Sequence, residues 1–406
     1  MAGSSLNITQ KEGKAIIQVA SLFNQLLQHF PRTEFGALVK ENKAERCAKG
    51  FGCWTQLVSM LFCQLAHADS LREICNGLGC CLGKLVHLGI AKAPNKSTLS
   101  YANEHRPAQL YEDLFYTALQ RFRDEGGLGA RKKKFRFKNK LLSLDSTTIS
   151  LCLDLFPWAQ FRRAKGGVKA HVLLDHDDYL PRYVLITEAK RSDVKMAEAF
   201  PLNPGSIIAM DRGYNDYALF GQWTASKIYF VTRLKENAAY EVAEECAVPK
   251  DRSIRSDQLI RLTGVQAQKD CPCLLRRVAV WDAANEREIV LLTNLIAFGA
   301  TTIAAIYKDR WEIELFFKAL KQNLKLKSFV GTSENALRIQ IWTALIAILL
   351  LKWLHHLSKA KWSLSNLASL LRLNLFTYRD LRNWLDGPFQ TPPLLPPSQQ
   401  LTLPLT

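Results

Sequence analysis

Acid is the scarce ingredient of this 406-residue chain: 37 Asp and Glu stand against 54 Lys and Arg, a formal charge of +17. A field of that sign attracts a polyanion, either nucleic acid or an anionic membrane surface, and does not choose between them. No C-x-x-C pair occurs among the ten cysteines, only Cys271-x-Cys273 and the adjacent Cys80 and Cys81, so the usual zinc spacing is missing. The opening MAGSSLNITQKEGK lacks the apolar core of a secretory leader. Reduced thiols in a cytoplasm are the expectation that follows. Long uncharged runs are also missing. The best membrane candidate, IQIWTALIAILLL at 339–351, falls short of the roughly 20 apolar residues a span needs and suits a buried core helix. No membrane partner is expected.

What is present describes a globular protein. Hydrophobic residues make up 48% and charged residues 22%, and the length allows two or three domains. Residues 1–128 read as an all-α N-terminal domain: KAIIQVASLFNQLLQHF, CWTQLVSMLFCQLAHA and PAQLYEDLFYTALQRFR repeat apolar residues at helical spacing. Between the last two, STLSYANEHR admits two readings: the second helix of a helix-turn-helix presenting Thr98, Tyr101, Asn103 and Arg106 to DNA, or part of a plain bundle. RKKKFRFKNK, at 131–140, suits phosphate neutralisation and equally a charged lead-in to a strand.

From residue 129 to 235 the pattern turns to strands. LLSLDSTTISLCL, GVKAHVLLD and RYVLITEA come first, then a helix at DVKMAEAF, the strand SIIAM, the helix DYALFGQWTAS and the strand KIYFVTR. That order is the one a ribonuclease-H-like α/β core uses. Residues 236–300 read as a β-rich insertion, and 301–360 return to the core with a further helix. The 361–406 tail is Leu-rich, then ends in GPFQTPPLLPPSQQLTLPLT, whose prolines forbid regular structure.

Two acids sit where strands want apolar residues. Asp145 lies inside LLSLDSTTISL and Asp211 closes SIIAMD. A carboxylate there is costly unless paired or bound to a metal. A third acid, Glu314, lies in YKDRWEIELFFKALKQNLKLKSF. Wound as one helix, Tyr307, Arg310, Glu314 and Lys321 fall within about 60° of each other, with Lys318 and Lys325 on the same face. Ile313, Phe317, Leu320 and Leu324 form a separate apolar stripe. Taken alone, the polar stripe suits an ordinary Glu314–Lys318 ion pair on a solvated face. Together with two upstream strand acids it suits a site for two hard cations, with Arg310 and Lys321 as phosphate clamps.

Tyr307-x2-Arg310-x3-Glu314-x6-Lys321 resembles the Tyr-Arg-Glu-Lys signature of bacterial DDE transposases of the insertion sequence 4 family. LSLDSTTISL and IIAMDRGY are similar to the family's two aspartate strands, and spacings of 66 and 103 residues leave room for its β-insertion. The resemblance implies that Asp145, Asp211 and Glu314 hold two Mg²⁺ ions, for which Mn²⁺ substitutes. It implies that Tyr307, Arg310 and Lys321 contact double-stranded DNA at the element ends, where Lys318 shares their face. It implies cleavage and strand transfer too, and synapsis of two ends suggests a homodimer working at the nucleoid. Some members hold a flipped base on a tryptophan of the insertion; Trp281 is the candidate, against a place in the insertion's core. Arg212 reads either as a DNA contact or as an exposed strand-end arginine. His171 is expected to be a core or edge histidine, Asp175, Asp177 and Asp178 turn residues, and His355 and His356 structural. A catalytically inactive DNA-binding protein is the alternative function, and a nuclease without strand transfer shares every one of these residues.

Overall fold

The computed structural model describes residues 20–393, apart from 47, 49, 82–84, 131–133, 153–154, 163–164, 251–252 and 327. The polar start, the first three residues of the basic run and the last thirteen of the Pro-rich tail lie outside the described residues.

Six helices come first: α1 (Leu22–Leu27), α2 (Arg32–Glu41), α3 (Cys53–Ala66), α4 (Leu71–Gly79), α5 (Lys96–His105) and α6 (Gln109–Asp124). They pack with α12 (Glu334–Leu357), α13 (Leu364–Asn374) and α14 (Leu381–Asp386) in one continuous apolar cluster. The chain's two described ends meet there, where the amides of Leu22 and Phe23 donate to the carbonyls of Thr377 and Leu375. Ser333 caps α12, accepting from the Ala336 amide at 3.2 Å. At 24 residues α12 is longer than the uncharged run foretold, and by length and composition it passes the test for a membrane span; 89% of its apolar window is buried inside the helical body.

Ten strands among the described residues build one mixed sheet. They are β1 (Leu141–Leu151), β2 (Gln160–Arg162), β3 (Lys165–Asp175), β4 (Leu180–Glu188), β5 (Ile207–Met210), β6 (Tyr229–Arg233), β7 (Tyr240–Glu245), β8 (Ile254–Leu262), β9 (Leu275–Asp282) and β10 (Arg287–Thr293). The order is β2-β3-β1-β5-β6-β10-β9-β8-β7, with β4 pairing β3. β1, β5 and β6 run parallel; the rest pair antiparallel. The insertion therefore continues the sheet past β6 instead of forming a sheet of its own.

Alternation along β1 decides what each face carries. Leu142 and Leu144 point to a core shared with α7 (Asp193–Glu198), α8 (Tyr217–Ala225) and α9 (Val265–Asp270). Leu141, Ile207 and Ala209 point the other way, to a core shared with α10 (Ala300–Asp309). The helix expected from Tyr307 onward is two pieces, α10 and α11 (Trp311–Asn323), joined at Arg310. The Arg310 amide is shared between the carbonyls of Ile306 at 3.3 Å and Tyr307 at 3.2 Å, and the Ile313 amide bonds Arg310 O at 3.1 Å. These i→i+3 bonds tighten the ladder there.

The basic run is a packed lead-in to β1. Phe135 and Phe137 stack at 5.1 Å and reach Phe298. Lys134 pairs with Asp309, and Lys140 with Asp175 and Asp177, while Arg136 and Lys138 stay exposed.

Candidate active site

The pairing of β1 with β5 puts Leu144 opposite Met210, so the residues that follow, Asp145 within β1 and Asp211 just past the end of β5, stand side by side at the same end of the sheet. Both fall on the face turned to α10 and α11, because each is one step on from a residue packed on the opposite face. Parallel neighbours lie about 4.8 Å apart, so two carboxylates are forced into one neighbourhood by register alone. Glu314, in the first turn of α11, is the third.

Arg310 stands among them. Its Nη2 lies 2.8 Å from Glu314 Oε1 and its Nη1 4.0 Å from Asp145 Oδ2, and its side chain is buried. The i,i+4 pair that forms on this stripe is thus Arg310–Glu314, not Glu314–Lys318. Burial pushes the Asp145 carboxyl up to about 6; the Ser146 amide and Arg310 oppose that, while Glu314 and Asp211 add to it. Among the described residues no three His, Cys, Asp or Glu side chains approach closely enough to hold a metal ion. The Arg310 guanidinium lies between Asp145 and Glu314 and serves both as counter-charge.

The other expected contacts divide in two. Tyr307 is buried, its hydroxyl accepting from Arg233 Nε at 2.7 Å, with Arg233 and Arg310 both against its ring. Lys321 is half-buried, donating to Thr148 O at 3.3 Å, and Lys318 is exposed. Lys325 has left the stripe beyond the end of α11 and pairs with Asp69. Arg212 is exposed and pairs with Glu236 at 3.3 Å.

Trp281 is 36% exposed on β9 with Arg255 over its ring, so it is no core residue. Its place follows from register. Arg233 ends β6 opposite Leu291, and three residues earlier Glu288 faces Trp281. At 3.4 Å per residue Trp281 lies about 10 Å beyond Arg233, toward the end of the sheet that carries the acids. Near Arg233 lies a cleft of about 410 Å³ lined by Arg212, Arg233, Lys235, Arg277 and Arg287 against Glu236 and Glu288.

Arg233 escaped the sequence reading, although a cation closing the apolar strand KIYFVTR carries the same signal as Asp211 closing SIIAMD. Asn215 escaped it for lack of any local signal. Its amide donates to Arg233 O at 2.7 Å and accepts from Thr232 Oγ1 at 2.9 Å, tying the turn after Asp211 to β6. Asp193 holds the reverse face of β1, accepting from Ser146 Oγ at 2.8 Å and pairing with Lys169 at 3.1 Å. His171 is fully buried between Asp193 and Thr187, a core histidine as expected. Asp175 and Asp178 do more than shape a turn, because both bind Arg123 of α6. His355 and His356 bond the carbonyls of Trp362 and Gly126.

On α5 the helix-turn-helix presentation fails in part. Asn103 is buried, accepting from Gln56 Nε2 at 2.8 Å, and Arg106 donates to Gln56 Oε1 at 3.1 Å and to Phe51 O. Tyr101 is exposed and stacks on His105.

The family model described as "Transposase DDE domain" matches residues 136–350, from the lead-in of β1 into α12. The chain belongs to the DDE transposases. A domain of unknown function, DUF4372, matches residues 18–91. Among relatives, a "Putative transposase y4zB" of Sinorhizobium fredii is 31% identical over 315 residues, covering 76% of this chain and 83% of the relative. The "Probable transposase for insertion sequence element IS5377" of Geobacillus stearothermophilus is 32% identical, covering 58% of this chain and 62% of its own length. "Transposase InsG for insertion sequence element IS4" of Escherichia coli is 24% identical over 40% of this chain and 38% of its own. All three acids of this DDE transposase lie inside the matched domain.

Proposed function

We propose that this transposase binds the ends of an insertion sequence, cleaves the DNA there and joins it to target DNA on a ribonuclease-H-like core. The observation that carries the reading is the β1–β5 register, which sets Asp145 beside Asp211 on the face where α11 brings Glu314. The strand order supports the core assignment: three antiparallel strands, β4-β3-β1, are followed by parallel β5 and β6.

Asp145, Asp211 and Glu314 are an all-oxygen donor set suited to hard divalent cations, and the Asp145 carboxyl, raised chiefly by its burial and further by Glu314 and Asp211, is a group whose charge a cation would stabilise. These three residues would hold Mg²⁺, or Mn²⁺ in its place. Held by these residues, divalent ions would supply charge stabilisation for the attacking and leaving oxygens of an in-line displacement. The remaining residues bind and orient. Lys318 and Lys321 face phosphate along α11, and the cationic cleft around Arg212, Arg233, Lys235, Arg277 and Arg287 holds DNA backbone. Trp281, which alternation along β9 turns to the face opposite the acids, is the exposed indole on which a base drawn out of the duplex would stack. Tyr307 acts one layer further in, keeping Arg233 and Arg310 apart and aimed. Two element ends call for a pair of chains, so a homodimer bound to double-stranded DNA in the bacterial nucleoid is the working species.

An excision assay on the gene with its flanking DNA tests this, comparing the wild type with Glu314→Gln. Excised or joined products requiring both Glu314 and Mg²⁺ support the reading. End binding without product from either protein would instead support an inactive DNA-binding protein.

A further inference from the structure

Cys271 and Cys273 lie on the sheet face opposite the acids, at the joint between α9 and β9. Their sulfurs stand 3.2 Å apart. Pro272 separates them, and its ring fixes its own φ while restricting that of Cys271, so the two thiols are held together with little freedom left to lose. Cys271 is 1% exposed and packed in the core with Phe220, Trp223 and Leu275, while Cys273 is half-open to solvent. The joint cannot relax away easily. Gly221 of α8 lies so close to the end of α9 that a Cβ there would meet Asp270 O at 2.1 Å.

We propose that Cys271 and Cys273 form a reversible dithiol–disulfide couple, a modification site that takes two-electron oxidants of the hydroperoxide class. In the first step the Cys273 thiolate attacks one peroxide oxygen and the O–O bond breaks, giving a sulfenic acid and hydroxide. Cys271 sulfur then attacks the Cys273 sulfur, the S–S bond forms, and the sulfenic oxygen leaves with the Cys271 proton as water. Two thiols and one hydrogen peroxide thus become one disulfide and two waters, and a dithiol reductant reverses the change. The geometry assigns the order of events: Cys273 is the sulfur a peroxide reaches, and Cys271 is the buried resolving partner. The hydrogen bond from Cys271 also holds the Cys273 thiol below its usual range while that of Cys271 is raised, which favours the thiolate at the accessible position. Closing the bond pins the start of β9, the strand that carries Trp281.

The test uses the full-length protein, hydrogen peroxide at sub-millimolar concentration, and peptide mass spectrometry after alkylation. Expected is a peptide spanning both cysteines that has lost two hydrogens, takes up no alkylating reagent and recovers both sites after dithiothreitol. In Cys271→Ser the resolving thiol is gone, and Cys273 is expected to be trapped as a sulfenic acid by dimedone. Phenylarsine oxide, which bridges close thiol pairs, is expected to protect both residues of the reduced protein from alkylation together. The proposal is overturned if both cysteines of the oxidised wild type remain alkylated at the untreated level, or if Cys273 passes to sulfinic acid with Cys271 still free.

Discussion

Arg310 lies 2.8 Å from Glu314 and reaches within 4.0 Å of Asp145, so one guanidinium joins an acid of helix α11 to an acid of strand β1. The same side chain stacks beside Tyr307, whose hydroxyl is held by Arg233 at the end of β6. Strand β1 and the α10–α11 stretch, which β6 joins through Tyr307, thus meet on one buried arginine. Its removal would leave Glu314 and Asp145 without that counter-charge.

Asp145→Asn, Asp211→Asn and Glu314→Gln are each expected to lower cleavage by about a thousandfold or more, since metal-assisted charge stabilisation contributes several kcal/mol. Binding to element ends is expected to survive within about twofold. A gel-shift titration beside a cleavage assay checks both, and wild-type cleavage by any one amide removes that residue from the metal set.

The raised Asp145 carboxyl makes a pH prediction for the metal-free protein. Folding lifts its pKa from about 4 to about 6. Between those values the folded state binds more protons than the unfolded one, so this group's contribution falls as pH rises. The penalty is absent below about pH 4 and complete above about pH 6. Asp145→Asn is therefore expected to be more stable than wild type at pH 7, by about 1–3 kcal/mol, with the gap closing toward pH 4. Urea unfolding in EDTA at a series of pH values measures the difference. A gap independent of pH would refute the assignment.

Tyr307→Phe removes the acceptor from Arg233 Nε and leaves a partly buried charged donor without that partner. A stability loss of about 1–3 kcal/mol is expected. If Tyr307 instead served DNA directly, the variant would lose end binding with its unfolding curve unchanged.

Lys321→Ala is expected to weaken end binding and to lower the slope of log affinity against log salt by about one, because the lysine lies at the surface where phosphate can reach it. Isothermal titration across a salt series reads the slope directly.

Asn103→Ala breaks a buried hydrogen bond to Gln56 and is expected to cost about 1–3 kcal/mol while leaving that salt slope unchanged. A reduced slope at full stability would restore Asn103 as a DNA contact.

The sequence by itself determined the local elements and the chemical types. Strand-patterned runs, β5 as an unbroken apolar one, gave β1, β3, β4, β5 and β6 nearly where they stand, and acids interrupting or closing apolar strands marked Asp145 and Asp211. Such signals are readable because side-chain alternation and burial cost act within a few residues. The chain also carries the apolar stripe of α11, whose Ile313, Phe317, Leu320 and Leu324 are all buried. Tertiary structure alone decided the partners. That Lys134 would be spent on Asp309, that Asn103 would face Gln56, and that Trp281 would stand exposed beyond the end of β6 depend on contacts between residues far apart in the chain. So does the break at Arg310, where no glycine or proline interrupts the helical pattern and the i→i+3 bonds alone mark the junction. Composition names the acids and the cations; only the folded register says which of them neutralise one another and which are left to meet DNA.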